Sequence, residues 1–473
     1  MNIPSRRIHI ACALALAWVA SPASAAEVAI VNPSFEQDSF AGEFTVTNAV
    51  SGWRALGEGG QRGLLAPDAP GTQTFYSGAT PGFDGKNIEF HWNGQSGIEQ
   101  VLTERLQANT RYTLTVASGT RNGGGGAFGR YDIRLTTETG KPVVSWSGAS
   151  RNLAAPGTFA DTGRSFETGA NPSGLGERLR IELRGGPLAN TYVDLDNVRL
   201  VAAPVAARPA STPIDVFIVS GQSNSQGWGA NSARLSAGNR HYADVPDPRA
   251  LLGYRQHLLG DALASIGSMA QLDTQGSGFS GNFDGFGPEL ALGSDYAVGS
   301  DKPVAIIKYA VGAAGLAQNF VKTGASGAPL YPTLIQHIQA MLAELRGQGY
   351  APTLRAMFWL QGESDALFGT SAAYGANLSR FIADVRTDVQ APQLRFYATQ
   401  INPNMPAFAD SAARAGMQQV NAGMVQAANA DPQRVFYVRT DDISAGFADN
   451  IHYSADQTID IGRRWAARYL SGQ

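Results

Sequence analysis

Near residue 213 the hydrophobic pattern of this 473-residue chain changes period, and no single sheet can satisfy both halves. Upstream, from about Glu27 to Ala203, apolar and polar residues alternate. Tyr112, Leu114 and Val116 do so in "RYTLTVASG", and Leu179, Ile181 and Leu183 in "RLRIELRGG". Glycine-rich turns such as "NGGGG" at Asn122–Gly126 separate these runs. Alternation sets one strand face against a core and the other toward water, which predicts an all-β antiparallel sandwich. Downstream, "IDVFIVS", "KPVAIIKYAV", "LRAMFWLQG", "QLRFYATQI" and "RVFYVRT" do not alternate, as in strands buried on both faces. Helical patterns lie between them. "YPTLIQHIQAMLAELRGQG" spaces Leu334, Ile338, Met341 and Leu345 along one helix face and closes on glycine. Alternating strands and helices predict a parallel sheet with helices on both faces.

The proline- and alanine-rich "VAAPVAARPASTP" joins the two regions. The expected organisation is a sandwich over residues 26–203, a linker over 204–213 and an α/β domain over 214–473. Residues 1–25 are expected to be a signal peptide, with Arg6 and Arg7, an apolar run Ile8–Ala20 and small residues Ala23–Ala25, which implies a secreted or periplasmic protein. The one cysteine, Cys12, lies within that run, so disulfides, thiol nucleophiles and cysteine zinc sites fall away. A net charge of −3 without a basic cluster gives no reason to expect a nucleic-acid partner, and no later apolar run approaches membrane-spanning length.

"VSGQSNSQGWG" follows the first buried run and carries Ser220, Ser223 and Ser225. Ligand sites of such folds lie beyond the carboxyl ends of the strands, where these serines fall. A serine needs a partner base to act as a nucleophile. Of six histidines, His9 lies in the signal, His91 in the sandwich and His337 on a helix flank, while His241 and His257 fall in an irregular segment. His452, in "FADNIHYSADQ" after the last strand, also falls at the carboxyl edge. Asp449 precedes it by three residues, a spacing that lets a carboxylate reach the imidazole Nδ1–H within one turn.

Four blocks occur in order: "GQSN", "GPEL" at Gly287–Leu290, "WLQGESD" at Trp359–Asp365 and "DNIH" at Asp449–His452. Together they resemble the SGNH-hydrolase superfamily, and within it the sialate O-acetylesterase and acetylxylan-esterase branch, including carbohydrate esterase family six. The resemblance implies a three-layer, flavodoxin-like α/β domain, Ser223 as nucleophile, and His452 and Asp449 as base and orienting acid. It implies an oxyanion hole from Ser223, a backbone N–H at Gly312 and the side-chain amide of Gln361. The stretch "AVGAAGLAQNF" at Ala310–Phe320 departs from the usual Gly-Gly-Thr-Ser, with Ala313 and Ala314 after Gly312. Gln222, Asn224 and Glu363 are expected on the substrate-binding side, and Glu363 also as an orderer of its loop rather than as half of a glycosidase pair with Asp365. Glu289 is read as a helix-start residue favoured by the dipole. The segment Asn231–Phe286 is expected to rim the pocket.

In the sandwich, "VNPSFEQ" and "YVDLDNVRLV" resemble the ends of jelly-roll carbohydrate-binding modules. That resemblance implies a structural calcium at Glu36 and Asp196; otherwise Asp194, Asp196 and Glu36 are exposed strand-end acids. Trp53, Trp92 and Tyr192 either stack on sugars or fill the core. The expected function is removal of O-acetyl groups from carbohydrate, without a catalytic cofactor. A glycan-binding protein with a relict hydrolase fold and a hydrolase of longer acyl esters are the alternatives.

Overall fold

In the computed structural model, residues 25–472 are described except 58–59, 78–81, 93–95, 124–126, 130, 149–153, 186–189, 208, 210, 245–246, 248, 257–264, 267–268 and 273–284. Residues 1–24 of the expected signal peptide, and His257, lie outside the described residues. The alternating half forms two facing, almost wholly antiparallel sheets of eight and five strands. Tyr112, Leu114 and Val116 of one sheet meet Leu179, Ile181 and Leu183 of the other in a single apolar core. The strand Thr191–Pro204 runs through the start of the expected linker, and Pro204 still pairs with Thr110.

The second half contains a parallel sheet of β1 (Thr212–Gly221), β2 (Ala250–Gln256), β3 (Val304–Ala310), β4 (Tyr350–Leu360), β5 (Arg395–Thr399) and β6 (Val435–Val438). Their spatial order is β2-β3-β1-β4-β5-β6, all parallel. Without β2 the order is that of a flavodoxin-like sheet, in which the reversal beside the first strand opens a ligand crevice. Strand β2 comes from the segment expected to be a rim. An isolated bridge between Asn231 and Gly285 closes the base of that segment, so at least part of it is sheet rather than lid.

Helices cover both faces. On one, Phe217 of β1 packs edge-on against Tyr296 of helix Glu289–Ser300 and Tyr469 of helix Ala455–Leu470. On the other, Trp359 of β4 packs against Phe381 of helix Tyr374–Asp388. Trp359 is fully buried, a core residue as its place at a strand end implies. Among the described residues no helix is long and apolar enough to cross a membrane.

Candidate active site

Strand β1 ends at Gly221, whose φ of +144° lies where glycine is favoured, and a Cβ there would collide with the carbonyl oxygen of Leu360 on β4. The chain turns sharply into a short helix, Ser223–Gln226, beyond the carboxyl edge of the sheet. Ser223 Oγ lies 3.0 Å from His452 Nε2, across 229 positions of sequence. His452 Nδ1 lies 2.7 Å from Asp449 Oδ2. The Asp449 Oδ1 accepts the backbone N–H groups of Ile451 and His452, both at 2.9 Å, which closes the tight turn that the three-residue spacing anticipates. Burial pushes the Asp449 carboxyl up, but the hydrogen bonds from His452 and the two backbone groups outweigh it and hold it below the usual range. Trp228 stacks on the imidazole, ring centroids 5.5 Å apart and 21° from parallel.

The other serines and histidines stand elsewhere. Ser220 and Ser225 are fully enclosed and their hydroxyls meet no hydrogen-bond partner among the described residues. His337 is buried with Nε2 at Gly253 O, His241 faces Gly238 O on the surface, and His91 lies in the sandwich interior beside Ser96 and Glu89.

Three expected substrate contacts are instead internal ties. Asn224, 3% exposed, donates to Glu363 Oε1 at 2.6 Å and to Ile451 O, and accepts from Tyr453 N. Glu363, 1% exposed, is held under that contact. Gln222 Oε1 accepts from the backbone N–H groups of Gly362 and Ser364 at the start of helix Glu363–Leu367. Asn224 Nδ2 and Oδ1, Glu363 Oε1 and Gln222 Oε1 thus join the blocks to one another. Gln361 also departs from expectation. Its Nε2 donates to Asp365 Oδ2 at 2.7 Å and Ala314 O at 3.1 Å, while Tyr374 donates to its Oε1. Gln222 Oε1 also lies 3.3 Å from this Nε2, so three acceptors share the two N–H donors of the amide. Asp365 in turn accepts the backbone N–H groups of Leu316 and Ala317, so it braces the stretch that follows Gly312.

A Cβ built on Gly312 would stand 3.3 Å from Gln226 Oε1 and 3.4 Å from the Trp228 ring, so the glycine lies beside this turn. The neighbouring Ala313 adopts φ +61°, so the backbone keeps a glycine-type conformation where the sequence has lost the glycine. Glu289 begins its helix as expected, yet its main partner went unseen. It forms a fully buried pair with Lys308 at 2.8 Å. A lysine inside the unalternating "KPVAIIKYAV" was the available signal. Burial pushes the Lys308 ammonium down from its usual value, with Glu289 opposing.

A family model described as carbohydrate esterase, sialic acid-specific acetylesterase, matches residues 213–471, more than half of the chain. The chain belongs to this carbohydrate esterase family. It is therefore a hydrolase with carbohydrate esterase activity. Residues 26–201 match a second model, described as HpiC1 cyclase. Among solved structures, a cyclase from Fischerella sp. TAU is 26% identical over 39% of this chain and 100% of its own, with a TM-score of 0.33. The carbohydrate acetylesterase XAC1771 from Xanthomonas citri is 16% identical over 81% of this chain and 73% of its own, TM-score 0.41. NanS is 14% identical over 55% of this chain and 98% of its own, TM-score 0.40. No curated protein matches the chain.

The sandwich residues divide. Trp53 is core, tilted against Phe35 and donating to Asn32 O, and Tyr192 is buried under the Arg121 guanidinium. Trp92 lines a cleft of about 240 Å³ with Phe44, Phe75, Phe90, Glu43 and Arg121. Glu36 accepts from the backbone of Lys86 and Asn87, and Asp196 from Asp84 and Asn197. Asp196 is fully buried rather than exposed, and feels Asp84 and Glu36 electrostatically. Among the described residues no group of three or more His, Cys, Asp or Glu side chains is arranged to hold a metal ion.

Proposed function

We propose that the protein is a secreted serine esterase that removes O-acetyl groups from a glycan, an acetylated polysaccharide such as xylan or an acetylated sialoside, through an acyl-serine intermediate. The observation that carries the reading is the unbroken line from Ser223 Oγ through His452 to Asp449 at the carboxyl edge of the sheet. In this reading His452 Nε2 takes the Ser223 proton as Oγ bonds to the ester carbonyl carbon. The carbonyl π electrons move onto oxygen, where the backbone N–H groups of Ser223 and Gly312 receive the negative charge. Collapse breaks the bond to the sugar oxygen, which leaves with the proton from Nε2. Water then attacks the acyl-serine, giving its proton to Nε2, and the second collapse returns that proton to Ser223 and releases acetate. Asp449 holds the ring with Nδ1–H toward itself and stabilises the imidazolium. No cofactor enters this sequence.

The sandwich is read as a jelly-roll module that presents its aromatic cleft to the same glycan. The aromatic lining with Phe75 and Trp92 beside polar Glu43 and Arg121 suits a sugar ring, apolar on its faces and hydroxylated at its edge. Glu36 and Asp196 are proposed as the acidic side of a calcium site, since carboxylate oxygens are the ligands that a hard cation takes.

The test is acetate release from acetylated xylan and O-acetylated sialosides, alongside a chain-length series of 4-nitrophenyl esters. Release from one of the glycans with a steep fall from acetate to octanoate is expected. A preference for long acyl chains, or a folded protein inert toward every ester, overturns the reading in favour of a lipase-like or a non-catalytic protein respectively.

A further inference from the structure

We infer that Lys308, paired with Glu289 beneath the nucleophile turn, is a positioning residue that fixes where the Ser223 hydroxyl stands. The inference rests on the esterase reading of Ser223 and His452. Lys308 sits within β3, in register with Val219 of β1 on one side and Tyr254 of β2 on the other. Residues directly paired in a ladder project to the same face. Lys308 therefore enters the layer between the sheet and helix Glu289–Ser300, where it is fully buried. Its ammonium has three donors. One goes to Glu289 Oε1 at 2.8 Å and one to the backbone carbonyl of Gln226 at 3.0 Å, while the Tyr254 ring face lies 4.7 Å away.

Gln226 is the last residue of the four-residue helix that begins at Ser223. The last carbonyls of a helix have no N–H partner within it, and a cation at that end is a fitting donor. Ser223 O is already satisfied by Gly227 N and Trp228 N, so the turn is closed above and held from below by Lys308. Glu289 fixes the ammonium from the far side and also accepts the Gly287 N–H at 2.8 Å. The whole set is a rigid post running from helix Glu289–Ser300 to the nucleophile turn. A buried ion pair usually adds little stability over apolar side chains of the same volume. The contribution expected of this pair is therefore alignment of Ser223 with His452. Strand β2, the added strand, contributes Tyr254 to the cover over Lys308.

The test compares the parent with the double variant Lys308→Met/Glu289→Gln, which removes both charges together and keeps an acceptor for Gly287 N–H. Lys308→Met alone strands a buried carboxylate, so a failure of that single variant to fold decides nothing, and the double variant carries the test. Measured are kcat and KM with 4-nitrophenyl acetate, the melting temperature, and the rate at which a phosphonate ester labels Ser223. The double variant is expected to melt within a few degrees of the parent, to keep KM, and to lose kcat and labelling rate on the order of a hundredfold, as for about 1 Å of misplacement. A crystal structure should show the Ser223–Gln226 turn displaced and Oγ beyond hydrogen-bond reach of His452. Retained kcat and labelling, or an undisplaced turn, overturns the inference. A parent without hydrolysis overturns the esterase reading, and the position of the turn then decides this inference by itself.

Discussion

Asn224 Nδ2 and Glu363 Oε1 lie 2.6 Å apart although 139 residues separate them. The same Asn224 side chain bonds Ile451 O and Tyr453 N on either side of His452. One amide thus ties the Ser223–Gln226 turn, the third block and the histidine loop. Burial pushes the Glu363 carboxyl up, and the Asn224 hydrogen bond is the main opposing influence.

Asn224→Ala removes that donor from a buried acid and leaves Tyr453 N and Ile451 O without their partner. Stability should fall by about 2–4 kcal/mol, with kcat down at least tenfold because the histidine loop loses its anchor. Urea denaturation and steady-state kinetics check both. A change in stability within about 0.5 kcal/mol, the size of an ordinary surface substitution, contradicts the tie.

Asp449 is half exposed, with 50% of its side-chain surface open to water, while His452 is 13% open. Water screens the carboxylate and can replace part of its effect on the imidazolium. Asp449→Ala should therefore cost on the order of a hundredfold in kcat, less than the roughly ten-thousandfold typical of an enclosed triad acid. Equal losses in Asp449→Ala and Ser223→Ala would contradict this graded role.

Burial pushes the Asp196 carboxyl up to about 8, against two backbone hydrogen bonds and with Asp84 and Glu36 adding to the rise. The folded state holds this proton more tightly than the unfolded chain does. Its contribution to stability is therefore lost as pH rises from the ordinary aspartate range to about 8. In EDTA the melting temperature should drop between pH 5 and pH 9, with calcium restoring it more at pH 9 than at pH 5. Asp196→Asn should remove both effects. A melting temperature indifferent to calcium at pH 9 contradicts the proposed metal.

Ala313 at φ +61° carries a strain that glycine does not. Ala313→Gly should raise stability by about 0.5–1 kcal/mol, the relief of strain exceeding the added freedom of the unfolded chain. Chemical denaturation of the pair measures it, and a less stable glycine variant contradicts the assignment of strain.

The parallel sheet was legible because its strands are buried on both faces and lose alternation, and the Asp449–His452 turn because three residues span one carboxylate-to-imidazole reach. The direction of buried amides was not. Nothing in "WLQGESD" says whether Gln361 faces the cleft or Asp365, since that depends on Ala314 O arriving from β3's following loop. Lys308 was hidden for a related reason: a lone lysine in an apolar run reads as a strand end until the fold brings Glu289 and Gln226 to it. Strand β2 lay in a segment too rich in turns to read as sheet, and its pairing with β3 is a long-range choice.

The central claim is tested most directly by the hydrolysis of 4-nitrophenyl acetate by the parent and by Ser223→Ala, with melting temperatures to show that both are folded. A loss of kcat of at least ten-thousandfold is expected in the variant. A folded Ser223→Ala protein that turns over within tenfold of the parent would contradict it.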